Sequence, residues 1–183
     1  PYWEANIILM MINIILAVSL NLINGYTGQF SIGHAGFLAV GAYVGAIFTV
    51  KLEYPFEVAL IAGTIAAAFL GCLIGIPTLR LNGDYLAIAT LGFSEIIRIV
   101  ITTASSITNG ALGIKNIPPL NDVRIIFLVT VITFVFITLL INSSYGRAFK
   151  AIREDEIAAE AMGINLFFHK NLAFMISAFF AGI

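Results

Sequence analysis

Charge is what this chain has least of. Its 183 residues hold nine Lys or Arg and ten Asp or Glu, against 60% hydrophobic residues and a mean hydropathy of +1.03. A soluble globular domain carries about 25% charged residues, so 10% here excludes that class and points to a membrane protein. Basic patches are missing outside one central loop, which leaves no footprint for nucleic acid. Cysteine is reduced to Cys72, so an internal disulfide is excluded; inside an apolar run that residue reads as a small filler rather than a reactive thiol. His34 has no second His, Asp or Glu near it in sequence, so it reads as structural, and no metal is expected. A Walker phosphate loop and a nucleophile paired with a base are both lacking. The chain is therefore expected neither to be an enzyme nor to bind ATP or another cofactor itself. No basic n-region of a cleavable signal precedes the first apolar run. The chain starts at Pro1 rather than Met, and its final run, residues 172–183, falls short of the roughly 20 residues that cross a bilayer, so it reads as a fragment cut at both ends.

What the chain does have is long apolar runs. Residues 5–23, 56–76, 85–103 and 123–142 are each long enough to span. With a further span after the glycine-rich stretch at residues 24–46, they predict an all-α polytopic transmembrane helical bundle: about five full spans and the start of a sixth, in one domain over residues 1–183. Pro77 is expected to end the third span, and Asp84 to cap the fourth after an Asn82-Gly83 turn. Gly41 and Gly45, like Gly71 and Gly75, have the small-xxx-small spacing that lets helices approach closely.

Two features inside these runs are not hydrocarbon-like. The stretch NGYTGQFSIGHAGFLAVGAY interleaves Gly25, Gly28 and Gly33 with Thr27, Gln29, Ser31 and His34. A uniform helix is not expected through its first half. Irregular backbone at membrane depth is tolerated only where protein buries it or water lines it, so these residues are candidates for a translocation path. The alternative is an ordinary loop with a helix starting near Ser31. Glu95 and Arg98, at i and i+3 on one helical face, can pair and so lower the cost of holding either charge in the membrane. They are either a second part of the path or a structural clamp between helices.

The central interval, residues 143–170, is the one long polar segment. Acids at Glu154, Asp155 and Glu156 suit a helix N-terminus, and Gly163 suits its end. Between them Ile157, Ala158, Ala161 and Met162 form an apolar stripe of roughly nine residues, about 13 Å at helical rise, that calls for a partner. Because Lys and Arg concentrate here, this loop is expected to face the cytoplasm. Alternation then puts residues 105–122 outside, the Arg80 turn inside, residues 51–55 outside, the Gly25 to Gln29 break near the inside and Pro1 outside; Lys51 and Lys115 fall on the outer side.

The sequence REDEIAAEAMGIN in this loop resembles the EAA-type coupling loop of ABC importer permeases. The resemblance extends to nearly the whole chain: NGYTGQFSIGHAGFLAVGAY, LRLNGDYLAIATLGFSEIIR and SYGRAFKAIREDEIAAEAMGIN, in this order, are similar to blocks of the branched-chain amino-acid permease family (LivM-type). It departs from the family at TNGALGI, residues 108–114, where members carry a TGGPNG-like external segment. The resemblance implies a permease subunit of an ATP-driven importer in a prokaryotic inner membrane, moving branched-chain or related amino acids. The implied partners are two ABC ATPase subunits that use ATP and Mg, a second homologous permease subunit and an extracytoplasmic solute-binding protein, all around a lipid bilayer. It also implies that Glu154, Glu156, Ala158, Ala159, Glu160 and Gly163 couple the chain to an ATPase. A urea or short-amide permease of the same family is the alternative. A channel or secondary carrier explains the helices but not the docking loop, and an intramembrane enzyme needs a reactive pair at membrane depth, for which only His34, Cys72 and Glu95 are available.

Overall fold

The computed structural model describes residues 2–78, 81, 83–115, 117 and 123–183. Pro1, Arg80 and Asn82 of the expected turn, and residues 116 and 118–122 of the expected outer connection lie outside the described residues. Helix α1 covers Tyr2–Asn21 and runs on into a π-helical turn, Leu22–Tyr26. It is followed by α2 (His34–Val50), α3 (Phe56–Thr78), α4 (Asp84–Thr103), a single turn α5 (Ser105–Thr108), α6 (Val123–Asn142), α7 (Ser144–Glu154), α8 (Glu156–Ala161) and α9 (Leu166–Ala181). No strand occurs among the described residues.

Among the described residues, four helices are long and apolar enough to cross a membrane: Trp3–Tyr26, Phe56–Thr78, Asp84–Thr103 and Val123–Asn142. In lipid every backbone group must find its partner within the segment, and helices do this. Their hydroxyls follow the same rule: Thr130, Thr133 and Thr138 each donate to the carbonyl four residues back, at 2.7 to 2.8 Å. The expected second span, α2, has 17 residues and so about 25 Å of rise, because the chain enters it through non-helical residues 27–33. Helix α3 passes Pro77 and ends one residue later, and the cap position of α4 is Gly83, at φ 58°, with Asp84 already inside the helix.

The last helix, which the sequence shows only as the start of a span, forms the centre of the bundle. Ala173, Phe174, Ser177 and Ala178 of α9 are fully buried. Phe174 meets Phe37 of α2 edge-on at 5.5 Å, within a cluster that adds Ile23, Ala67, Ile74, Ala178 and Ala181. Ser177 Oγ donates to the Ser19 carbonyl at 2.5 Å, tying α9 to α1. Where α2, α3 and the end of α9 converge, backbone touches backbone. A Cβ on Gly41 would strike Gly182, and one on Gly63 would lie 2.7 Å from the Gly41 oxygen. Gly45 has no such constraint, its nearest neighbour standing 3.8 Å away. One half of the Gly41–Gly45 pair is thus a contact and the other is not. Leu9, Phe69 and Leu139 face outward, as lipid-facing side chains do.

Candidate functional site

The polar interval 143–170 folds as two helices and the foot of a third, where the sequence suggests one short helix in a loop. Helix α7 is amphipathic: Ala148, Phe149 and Ile152 are buried, while Arg147, Lys150, Arg153 and Glu154 are on or near the surface. Phe149 packs with Leu22 and Ala173, so α7 lies against the ends of α1 and α9. Helix α7 stops at Glu154 because Asp155 is extended (φ −158°, ψ 111°). Asp155 then opens the next helix. Its Oδ1 accepts from the Ile157 and Ala158 amides at 2.9 and 3.1 Å, satisfying two of the donors that a helix start leaves free.

Helix α8 closes as cleanly as it opens. Gly163 is left-handed at φ 84°; its amide donates to Glu160 O at 2.9 Å and the Ile164 amide to Ala159 O at 3.1 Å, the paired bonds of a Schellman end. A side chain at Gly163 would meet nothing within 4 Å, so the glycine is required by its backbone angle and not by space. Ala158, Glu160, Ala161 and Gly163 are exposed, and Ile157 and Met162 are 81% and 84% exposed. Ala159 points the other way and is buried in the chain itself. Of the six residues singled out for coupling, Ala158, Glu160 and Gly163 lie on the free surface of α8, Glu154 ends α7 in an ion pair with Arg153, and Glu156 turns back to the bundle. Glu156 Oε1 accepts from Lys170 Nζ at 2.6 Å, and Lys170 is buried. This pin between α8 and α9 escapes sequence reasoning, since the two residues are 14 apart and meet only once the loop folds.

The glycine-rich stretch is non-helical over residues 27–33, with α2 starting at His34, three residues past the Ser31 start of the ordinary-loop alternative, and it lies on the same side of the bundle as α7 and α8. Thr27, Gln29, Ser31 and His34 are all buried. The non-helical chain is held largely by side chains. Asn24 Oδ1 accepts from the Ser31 amide at 3.1 Å, Thr90 Oγ1 of α4 from the Ile32 amide at 3.2 Å, and the Gln29 amide donates to Ile23 O at 3.1 Å. Thr27 Oγ1 donates to Ile23 O at 2.6 Å, and His34 Nε2 sits 2.9 Å from Ser19 Oγ. Gly33 lies against the Thr90 carbonyl with no room for a side chain. Gly28 takes a left-handed φ of 67° beside Arg153, and the Gly25 carbonyl accepts from the same arginine. Both polar atoms of the Gln29 side chain, Ser31 Oγ and His34 Nδ1 are buried without a hydrogen-bond partner among the described residues. Buried polar atoms are normally paired by protein or by ordered water, so these atoms are open to a partner from outside the described residues.

Glu95 and Arg98 form their expected pair through two guanidinium nitrogens, but away from the break. Ser94 and Ile97 of α4 face Gly36 of α2, whereas Glu95 and Arg98 stand 51% and 69% exposed on the outer side. Among the described residues no three of His, Cys, Asp and Glu come together to hold a metal ion.

Comparison with known proteins gives a consistent picture. The family model described as the permease component of branched-chain amino acid transport systems matches residues 3–183. The high-affinity branched-chain amino acid transport system permease protein LivM of Escherichia coli is 39% identical over 95% of this chain and 49% of its own length. Its counterpart in Salmonella typhimurium is 38% identical over 94% of the chain and 48% of its length. A probable branched-chain amino acid transport permease protein LivM of Methanocaldococcus jannaschii is 27% identical over 81% and 56%. The chain spans about half the length of the curated relatives it matches. No solved structure matches it.

Proposed function

The chain belongs to the permease-component family of branched-chain amino acid transport systems, and on that premise we propose that it is part of the membrane subunit of an ATP-driven importer for branched-chain or related amino acids. Helix α8 is its docking element toward an ABC ATPase. The observation that carries this reading is the build of α8: capped at both ends, pinned to the bundle on one side through Glu156 and Ala159, and bare on the other, where Ile157, Ala158, Ala161 and Met162 present a short apolar patch beside Glu160. Large apolar side chains so exposed on a polar loop fit a partner's groove better than water. The loop then faces the cytoplasm of a prokaryotic inner membrane, where ATP is available to a separate ATPase pair.

The rest of the assembly follows the same reasoning. An ion pair exposed halfway along a spanning helix is costly against lipid, so Glu95 and Arg98 are assigned to water in the path or to the second permease subunit. The glycine break, with polar atoms of Gln29, Ser31 and His34 that have no partner among the described residues, is assigned to the inner part of the path, where hydration or solute supplies hydrogen bonds once it opens. An extracytoplasmic binding protein delivers the solute. The test is uptake by the full complex reconstituted in vesicles with its ATPases and binding protein. ATP-dependent accumulation of leucine, isoleucine or valine is expected. Uptake of urea in their place would move the assignment to the short-amide branch, and uptake indifferent to ATP would refute the importer.

A further inference from the structure

Arg153 joins the two candidate regions. It is the penultimate residue of α7, and only Glu154 separates it from the Asp155 cap of α8. Its Nη1 donates to the Gly25 carbonyl at 3.2 Å, across 128 residues of sequence. That carbonyl is available because it lies in the last turn of the α1 extension, where helical acceptors lose their partners. The Arg153 stem passes so close to Gly28 that a Cβ there would lie 2.9 Å from Arg153 Cγ, and Gly28 holds a left-handed φ near the start of the non-helical segment. One turn earlier on α7, Lys150 Nζ stands 5.9 Å from the centre of the Tyr26 ring. Both contacts of α7 on this side fall on residues 25–28, immediately before the buried Gln29, Ser31 and His34. The other end of the guanidinium is held by Glu154.

We propose that Arg153 is a positioning residue that hands displacement of α8 to the glycine break, so that nucleotide-driven motion at the docking helix changes how residues 27–33 are packed. The proposal rests on the reading of α8 as the ATPase-docking helix. Its geometry is that of a strut: one planar group grips the backbone of the break, and its own backbone runs into the α8 cap. A guanidinium offers several N–H donors in a fixed plane, which suits it to hold Glu154 and a carbonyl at once. Three residues after Arg153, the Glu156–Lys170 pin ties the first turn of α8 to the buried face of α9. Motion of α8 about that pin is then transmitted at the Arg153 end.

The experiment uses the complete transporter with Cys72→Ala and a reporter Ser31→Cys, and reads the rate of labelling by a membrane-impermeant thiol reagent with and without a non-hydrolysable ATP analogue. With Arg153 in place the rate should change with nucleotide. In Arg153→Met, which keeps the stem but loses the donors, the ATPase should still co-purify while the nucleotide-dependent change in labelling and the transport rate fall about tenfold. Arg153→Lys, which keeps the charge and one bond's reach, should restore part of both, and it carries the test should Arg153→Met fail to accumulate. An undiminished nucleotide response in these variants, with ATPase bound, would overturn the strut and leave the docking reading intact. Loss of the ATPase from Arg153→Met would also overturn it, by making Arg153 a docking residue. No response even with Arg153 present, with the ATPase bound, would overturn the strut and leave the docking reading intact.

Discussion

Residues 155–163 and residues 24–34 are both short polar interruptions of an apolar chain, yet the first caps its helix ends from its own residues and the second takes part of its support from other helices. In α8 the Asp155 carboxylate and the Gly163 turn satisfy the helix ends from within the segment, so the unit keeps its shape whatever it touches. The break joins Asn24 to Ser31 within itself but relies on Thr90 and Ser19 from other helices, and it leaves buried atoms of Gln29, Ser31 and His34 without partners among the described residues. A self-sufficient piece can move as a body. A dependent piece changes when its surroundings do, and that is the division of labour a docking helix and a gated path require.

The largest effect expected from attacking this contrast comes at the pin that joins α8 to the core. Glu156→Lys places a second ammonium beside Lys170, whose side chain is only 7% exposed, and should cost about 3 kcal/mol, read as a drop in the thermal midpoint of the detergent-solubilised protein. Lys170→Met, which leaves only the part-exposed Glu156 without its partner, should cost about 1 kcal/mol. Equal losses in the two variants would mean that the burial of Lys170 does not set the energy.

Next in size is the break. Gly33→Ala drives a methyl group into the Thr90 carbonyl and should cost about 2 kcal/mol, again in the thermal midpoint of the whole bundle, because the residues it displaces are shared with α4. The smallest effect is expected at Gly163→Val. Its φ of 84° strains any branched side chain by about 1 to 2 kcal/mol, but with nothing nearby the damage should stay in α8. Faster amide exchange at Gly163 and Ile164 with an unchanged bundle midpoint would sharpen the contrast; a global loss comparable to Gly33→Ala would break it.

These regions also differ in how far they can be read from sequence. The spans are legible because hydrocarbon length and apolar run length are one constraint, and the ends of α8 are legible because Asp155 and Gly163 act on their immediate neighbours. The Glu95–Arg98 pair is visible for the same reason: three residues on a helix are always adjacent. What the sequence hides depends on the turn of the loop. Lys170 looks like a surface charge at the end of a polar interval, and only the return of α9 brings it to Glu156. The family resemblance offers Ala159 as a coupling residue, yet the orientation of α8 buries it. The separate helix α7 is masked by its charges, since Ala148, Phe149 and Ile152 make too short a stripe to stand out before α1 and α9 are there to receive it. Gly41 and Gly45 share a motif, but only the convergence of three backbones decides which of them is indispensable.

The docking assignment has one direct measurement. Ile157→Asp combined with Met162→Asp changes two side chains that are 81% and 84% exposed, so the membrane bundle should fold and accumulate as before. Purified from cells that make the whole complex, this variant is expected to retain its normal thermal midpoint while the ATPase no longer co-purifies and ATP-dependent uptake is lost. A variant that still brings down the ATPase in normal amount and transports at the normal rate would contradict the account, and α8 would then be a solvated turn between α7 and α9.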